Sequence, residues 1–309
     1  MLSRRQFCQY LAATVAGAAF IDFNTLRAFA SDTDYFSVTE LGPGLWVFSG
    51  GGGNVLLAQN AGNPVQIDAG VGSIAPELLS KTTSRIGTKS CTLLNTHHHG
   101  DHIGGNYVIR HGFDTEVTII GQEKLTPRVA ATLDQSILPG LLRAAESAED
   151  KDELLAQAKA LTAADFSPTQ TFKDELELKI GDSVFLMQHY GAGHTDNDAV
   201  VFLPQQNILH MGDLVFNDLH PYVIAEHGAN VAGWRKSLAR ALKLCDTETV
   251  VIPGHGAISD RSALVRMDEY FQQLTEIVAA AIAEGRTREE VSEMKPEIFA
   301  ERGNERVQY

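Results

Sequence analysis

The sequence has no run of basic residues. Its 309 residues include 25 Lys and Arg against 39 Asp and Glu, which gives a formal net charge of −14 at pH 7. Because an acidic surface repels phosphate backbones, this balance argues against nucleic acid as a partner. Apolar residues make up 44% of the chain and charged residues 21%, values that are ordinary for a globular protein. The length is enough for one large domain or two small ones.

The sequence also lacks an apolar run long enough to span a membrane. The uncharged stretch 6–21 is short and rich in alanine, whereas a spanning helix needs about 20 apolar residues. An arginine pair precedes this stretch and the small-x-small pattern AFA follows it, which is the order of an export signal. The letters SRRQF resemble the twin-arginine signal of bacteria. We therefore predict a signal peptide over residues 1–30 and a mature chain, 31–309, in the periplasm.

Export sets further expectations about partners and charge. We expect the chain to bind the twin-arginine translocation machinery only transiently. Cleavage near Ala30 would leave the mature chain without a stable membrane anchor. The signal carries three arginines and one aspartate, a net charge of +2, so the mature chain would carry −16.

Cysteine is scarce, with three in the chain. Cys8 would leave with the signal. Cys91 and Cys245 lie in the apolar stretches CTLL and ALKLC, so we expect both to be buried free thiols. An oxidising compartment would also permit a disulfide between them.

Short apolar runs separated by turn residues predict two β-rich halves. In the first half, GLWVFSG and PVQIDAG are typical strands. The second half contains DAVVFLPQQNILHMGD, which predicts two strands around a turn, and the amphipathic helix VAGWRKSLARALKLC. Between them, residues about 125–164 are helical and charged, and we interpret them as an insertion within a single domain over 31–309. The pattern predicts an α/β fold of two sheets covered by helices.

A cluster of histidines, NTHHHGDHIGG, overlaps the end of the predicted strand CTLLNT. If the backbone stays extended there, alternate side chains share a face, so His97, His99 and Asp101 point one way and His98 the other. His102 follows at the predicted start of a helix. Two divergent groups could serve two metals, and His98 is predicted not to be a ligand.

Three later motifs offer further ligands. GAGHTDND offers His194, LHMGDLVF offers Asp213 and IPGHGAI offers His255. Each is expected to follow an apolar strand and lies beside glycine, which permits close backbone approach. A lone histidine at a strand end is usually structural, and Asp213 alone could be a turn residue. All four patterns together, each at a predicted strand end, indicate a metal site.

These motifs resemble those of the metallo-β-lactamase superfamily. The H-x-H-x-D-H motif of that family stands at residues 97–102, and the later ligand motifs follow in the family's order. QIDAG, which contains Asp68, resembles the family's early strand and turn. The resemblance covers residues 36–259. It implies an αβ/βα four-layer sandwich, in which two mixed sheets are flanked by helices.

The resemblance also implies a ligand set for two zinc ions per chain. The first zinc would be bound by three histidines, namely His97, His99 and His194. The second would be bound by Asp101, His102 and His255. Asp213 would bridge the two ions. Imidazole and carboxylate ligands without thiolate suit zinc, and iron or manganese stays open because family members vary.

The activity that the resemblance implies is hydrolysis by a metal-bridging hydroxide. Two zinc ions lower the pKa of a shared water and polarise a carbonyl, so no serine or cysteine nucleophile is needed. Asp101 would be catalytic as well as a ligand, because it would orient the nucleophile. Asp68 could hold a ligand histidine through a hydrogen bond, or it could be a plain turn residue. His220 and Tyr222 could line the substrate pocket or lie on a surface loop.

One departure from the family pattern bears on the substrate. β-Lactamases of the superfamily place cysteine or serine where this chain has Asp213, and a bridging aspartate resembles lactonases, glyoxalase II enzymes and phosphodiesterases. Export suits a β-lactamase, and no basic side chains stand out for binding a phosphodiester. We predict hydrolysis of a small cyclic amide or ester, a β-lactam or a lactone. The alternatives are a thioester hydrolase of glyoxalase II type, a mononuclear iron dioxygenase on the same fold and a module that only binds.

Overall fold

A computed structural model describes residues 34–59 and 63–303 of the protein. The predicted signal peptide and Cys8 lie outside the described residues. Within these residues, no helix has the length and apolar character needed to cross a membrane. The chain divides into two compact units. The first holds the described residues up to Gly121 together with Leu125–Thr171, and the second holds Gln122–Lys124 and the described residues from Phe172 onward.

The first unit is built on a seven-stranded mixed sheet, whose strands are ordered as in the sequence. The strands are β1 (Ser37–Gly42), β2 (Leu45–Ser49), β3 (Val55–Ala58), β4 (Val65–Ile67), β5 (Thr92–Leu94), β6 (Thr118–Gln122) and β7 (Gln170–Phe172). β1 to β4 pair antiparallel, and β4, β5 and β6 pair parallel. Every residue of β3, β4 and β5 is buried, as is expected for strands with both faces covered. β7 lies where the two units meet in sequence.

Seven α-helices of the described residues belong to this unit. They are α1 (Ala75–Ile86), α2 (Gly100–Ile103), α3 (Asn106–His111), α4 (Leu125–Ser136), α5 (Leu138–Glu146), α6 (Lys151–Ala160) and α7 (Ala163–Phe166). The ends of α1 follow from its sequence, since Pro occupies the first turn, Arg85 the last turn and Gly87, at φ 76°, the C-cap. The predicted helical insertion corresponds to α4–α7. Its apolar residues, such as Leu141 and Phe166, join the same core as Leu93 of β5.

The second unit contains a five-stranded mixed sheet in the order β12-β11-β10-β9-β8. Its strands are β8 (Glu175–Ile180), β9 (Ser183–Gln188), β10 (Val200–Leu203), β11 (Ile208–Phe216) and β12 (Val250–His255). β8 to β11 pair antiparallel, and β11 and β12 pair parallel. All nine residues of β11 are buried. β11, which lies between β12 and β10, is therefore completely enclosed in this unit's core.

Three further helices belong to the second unit, namely α8 (Val231–Ala241), α9 (Ser262–Ala283) and α10 (Arg288–Ser292). α8 and α9 pack against β11. Trp234 of α8 is fully buried and donates its indole N–H to the Leu214 carbonyl at 2.8 Å. Such a buried indole needs a polar partner, and here that partner lies on β11.

Both cysteines of the described chain are free thiols. Cys91 is buried, and burial raises the pKa of its thiol to about 12. Cys245 is partly exposed. The expectation of two buried thiols was therefore wrong for Cys245, because the chain leaves the amphipathic helix through a short 3-10 turn just before it.

Candidate functional site

In the first unit, the histidine cluster lies between β5 and α2. The strand ends at Leu94, and the backbone of His99 is still extended with φ −69° and ψ 147°. The helix then begins at Gly100 and includes Asp101. The expectation of an extended chain through Asp101 was therefore wrong. The helix starts earlier and carries Asp101 and His102 together.

The imidazoles of this cluster lie close together in the first unit. One ring nitrogen of His97 lies within 4.8 Å of one of His99, and the His97 and His102 ring centroids are 4.3 Å apart. Asp101 Oδ2 lies 3.7 Å from His102 Nε2. The His98 ring centroid is 6.5 Å from that of His97 but 4.7 Å from that of His99. Alternation thus separates His98 from His97, but it does not isolate His98 from His99.

Asp68 holds the histidine cluster in place through hydrogen bonds to Thr96 and His102. It is fully buried, and its oxygens accept hydrogen bonds from the Thr96 backbone N–H, the Thr96 hydroxyl and His102 Nδ1, each at 2.8 Å. The Thr96 oxygen in turn lies 3.1 Å from His97 Nδ1. Because the Thr96 proton goes to Asp68, its oxygen accepts from His97 Nδ1–H. Both imidazoles are thereby held as tautomers whose Nε2 lone pair can bind a metal.

A glycine-rich segment, SGGGGNV at residues 49–55, packs against the helix that carries Asp101 and His102. It joins β2 to β3, and the Gly53 N–H donates to the Asp101 carbonyl at 3.1 Å. A Cβ on Gly53 would lie 2.2 Å from Cε1 of His102. Only glycine permits this approach, so the turn packs directly on a predicted ligand.

In the second unit, Asp213 lies between two histidines. Its Oδ2 is 3.2 Å from His194 Nε2, and its Oδ1 is 3.2 Å from His255 Nε2. All three side chains are at least 96% buried. His255 is the last residue of β12, as expected, whereas Asp213 lies inside β11 rather than after it. The register between β11 and β12 shifts on both sides of Gly212, and a regular strand pattern in the sequence does not indicate such a shift.

The loop that carries His194 is fixed by hydrogen bonds. His194 Nδ1 donates to the Tyr222 carbonyl at 3.0 Å, which leaves Nε2 for the Asp213 side. Asp198 accepts from the Thr195 hydroxyl at 2.6 Å and from the Thr195 N–H at 2.9 Å. Burial raises the pKa of Asp198 to about 6, although His194 and the Thr195 bonds act to lower it. Asp198 was not predicted from the sequence. The feature that could have indicated it is the second aspartate of the motif GHTDND.

The two predicted substrate residues lie in different surroundings. Tyr222 is 52% exposed, and its ring centroid lies 6.2 Å from that of Phe216, which stacks on His255 at 4.9 Å. His220 instead packs against Tyr270 and Phe299, with Nδ1 3.2 Å from the Tyr270 hydroxyl. Of the two, Tyr222 is the one in contact with the predicted ligands.

The donor sets fit zinc. Each unit presents buried imidazole and carboxylate groups. In three of the predicted ligands, His97, His102 and His194, the described hydrogen bonds are made by Nδ1, so Nε2 is the nitrogen that would bind a metal. In the second unit, two imidazole nitrogens face the two oxygens of one carboxylate, an arrangement that a cation between them stabilises.

Comparison with known proteins identifies the family. The sequence model of the metallo-β-lactamase superfamily matches residues 49–255, which is more than half of the chain. The chain belongs to the metallo-β-lactamase superfamily. Its curated relatives include the metallo-β-lactamase type 2 of Bacillus cereus, 24% identical over 249 residues that cover 77% of this chain and 84% of the relative. The corresponding enzyme of Bacteroides fragilis is 24% identical over 205 residues, 66% of this chain and 68% of the relative.

The solved structures agree on the fold. The structure of a metallo-β-lactamase from Pontibacter korlensis matches with a TM-score of 0.57 and 22% identity, covering 77% of this chain and 99% of that chain. The predicted metallo-β-lactamase fold, with two mixed sheets flanked by helices, is confirmed. The family relation supports a metal-dependent hydrolase, and the histidine and aspartate side chains could hold the metal.

Proposed function

We propose that the protein is a zinc-dependent hydrolase of a small cyclic amide or ester. The seven side chains of the family motif would hold two zinc ions, with the assignment that the resemblance implies. The observation that carries the proposal is the buried Asp213 carboxylate, which has a histidine Nε2 3.2 Å from each of its oxygens. A carboxylate placed in this way could share a metal ion with each of the two neighbouring imidazoles.

Bound zinc would supply an activated water and would polarise the carbonyl of the substrate. The protein's own groups do the rest. Asp68 and the Tyr222 carbonyl hold His102 and His194 in fixed tautomers. The Asp101 side chain is 16% exposed, so its carboxylate can accept a hydrogen bond from the attacking water and orient it.

The relatives and the residue at position 213 favour different substrates. The relatives in Bacillus cereus and Bacteroides fragilis are named metallo-β-lactamases, which favours a β-lactam. Asp213 at the predicted bridging position resembles lactonases, glyoxalase II enzymes and phosphodiesterases, and among their substrates the lactone is the cyclic carboxylic ester. Both substrates are strained or activated cyclic acyl compounds, so one attack on a carbonyl carbon serves either.

A hydrolysis screen tests this proposal. The zinc-loaded chain is offered a chromogenic cephalosporin, acyl lactones, thioesters and phosphodiesters. We expect turnover of the cephalosporin or the lactones, and its loss in His99→Ala. Activity confined to thioesters or phosphodiesters would overturn the substrate class. One iron per chain together with oxygen uptake would overturn the hydrolase itself.

Tyr222 is proposed as a contact for the acyl substituent of the substrate. Its exposed ring lies next to Phe216, which stacks on His255, and its carbonyl holds His194. We expect Tyr222→Ala to raise KM more than it lowers kcat, because the backbone carbonyl is retained. Zinc content measured by metal analysis should stay unchanged. A fall in kcat at constant KM would contradict this role.

We also propose that the chain acts in the periplasm after twin-arginine export, on a small-molecule substrate and without nucleic acid. The support is the order of charged, apolar and small residues in 1–30. Replacing Arg4 and Arg5 by lysine should keep the unprocessed chain in the cytoplasm of a bacterial host. Export is measured by immunoblotting of cell fractions. Normal export of that variant would overturn the proposal.

A further inference from the structure

We propose that Asn217, whose side chain is oriented by Arg266, is a positioning residue for His255. It fixes the direction of the His255 imidazole and thereby raises the affinity of the protein for the metal that His255 binds. This inference rests on the proposed metal-binding role of His255. All the contacts that carry it lie in the second unit.

Asn217 follows β11 directly and joins it to the end of β12. Phe216 and His255 are partners in the register of these parallel strands. The Asn217 backbone N–H donates to the His255 carbonyl at 2.9 Å. Its side-chain Nδ2 donates to the Ala257 carbonyl, also at 2.9 Å. One buried residue therefore holds the backbone on both sides of Gly256.

The chain turns sharply at Gly256, whose φ is +90°. A Cβ there would lie 2.4 Å from the Asn217 carbonyl oxygen, so only glycine fits this turn and approach. A glycine turn by itself is compliant. The bonds from Asn217 supply the constraint that the glycine does not, and they act immediately after the predicted ligand.

Arg266 of α9 decides which way the Asn217 amide faces. Its Nη2 donates to Asn217 Oδ1 at 2.6 Å, and its Nη1 donates to the Ser262 hydroxyl at 2.7 Å. Because a guanidinium has no acceptor, the amide oxygen must face Arg266 and the amide nitrogen must face Ala257. Asp218 Oδ1 lies 3.3 Å from Arg266 Nε and helps to hold the guanidinium in place. Arg266 of α9 thereby orients the Asn217 side chain, which contacts the backbone beside His255.

Asn217→Asp tests the donor role without changing side-chain size. An aspartate keeps an oxygen toward Arg266, but it places a second oxygen against the Ala257 carbonyl, where two acceptors repel. Arg266→Gln removes the orienting fork. For both variants we expect zinc affinity, measured by competition with a chromophoric chelator, to fall about 10- to 100-fold, the range found when groups that orient metal ligands are removed. The visible spectrum of the cobalt-substituted chain should change in the same variants.

Arg235→Gln is the matched control. Arg235 of α8 donates two hydrogen bonds to Asp268 of α9, at 2.7 and 3.1 Å, and has no described hydrogen bond to a predicted ligand. It should lose some thermal stability and keep wild-type zinc affinity. His255→Ala is measured in parallel. If His255→Ala retains the full zinc content, the proposed metal site is wrong; if it loses zinc while Asn217→Asp and Arg266→Gln keep wild-type affinity and cobalt spectra, the positioning role is wrong. Should Arg266→Gln not fold, the isosteric Asn217→Asp decides alone.

Discussion

At the scale of single residues, the Asp68 side chain combines an unusual backbone with a dense set of hydrogen bonds. Its φ of 64° lies in the left-handed region, which aspartate and asparagine tolerate better than other residues with a Cβ. From there it accepts bonds from Thr96 and His102. The conformation is therefore tied to the orientation of a predicted ligand.

Asp68→Asn should weaken metal binding while preserving the fold. The variant keeps the shape and the tolerated φ but removes the negative charge beside His102 Nδ1. We expect zinc affinity to fall about 10- to 100-fold, measured by chelator competition. Asp182→Asn, on the exposed turn between β8 and β9, is the same chemical change and should leave affinity unchanged. Equal affinities in wild type and Asp68→Asn would contradict the role given to Asp68.

His97 and His98 should differ although they are adjacent and both buried. His97 shares the Asp68 network through Thr96, and the ring centroid of His98 is 6.5 Å from that of His97. We expect His97→Ala to lose zinc and His98→Ala to retain it, as measured by metal analysis of samples shown to be folded by circular dichroism. If both variants lose the same amount of zinc, the alternation argument is wrong.

At the scale of elements, the parallel pair β11–β12 brings Asp213 and His255 to the same end of the sheet. The strands approach closely at Gly254, where a Cβ would lie 2.0 Å from Asp213 Oδ1. The carboxylate therefore occupies the space that a side chain on β12 would take. Strand pairing and glycine placement together determine where the carboxylate points.

Gly254→Ala should displace Asp213. We expect a stability cost of about 1–3 kcal/mol from overpacking, together with reduced zinc content. Gly140→Ala in α5 is the control, because nothing lies within 4 Å of the added Cβ. It should stabilise the chain by about 0.5–1 kcal/mol, since alanine loses less backbone entropy than glycine in a helix. Thermal unfolding and metal analysis of the two variants check both expectations, and unchanged zinc in Gly254→Ala would contradict the first.

At the scale of the whole molecule, metal removal should lower stability. A ligand that binds only the folded state stabilises it by about 2.7 kcal/mol when present at 100 times its Kd. We therefore expect a chelator to lower the Tm of the wild-type chain, and zinc to restore it. His255→Ala should show a much smaller response. A wild-type Tm that is indifferent to both treatments would contradict a bound metal.

The fold was predictable because hydrophobic pattern and turn residues are local signals. PVQIDAG contains the buried strand β4 and CTLLNT contains the buried strand β5, as expected, and the predicted amphipathic helix VAGWRKSLARALKLC contains α8. The errors arose where local signals compete with tertiary contacts. α2 begins at Gly100 although the preceding strand pattern predicts extension, and Asp213 lies inside a strand because β11 continues to Phe216 beside β12.

The sequence by itself determined the superfamily and the types and spacing of the predicted ligands, because the motifs are read from residue identity alone. Tertiary structure alone decided the tautomers and the supports of those ligands. Asp68 meets Thr96 and His102 across about 30 positions of the chain, and Asn217 meets Arg266 across 49. Hydrogen bonds between such distant segments form only when the core has packed, and no local pattern records them.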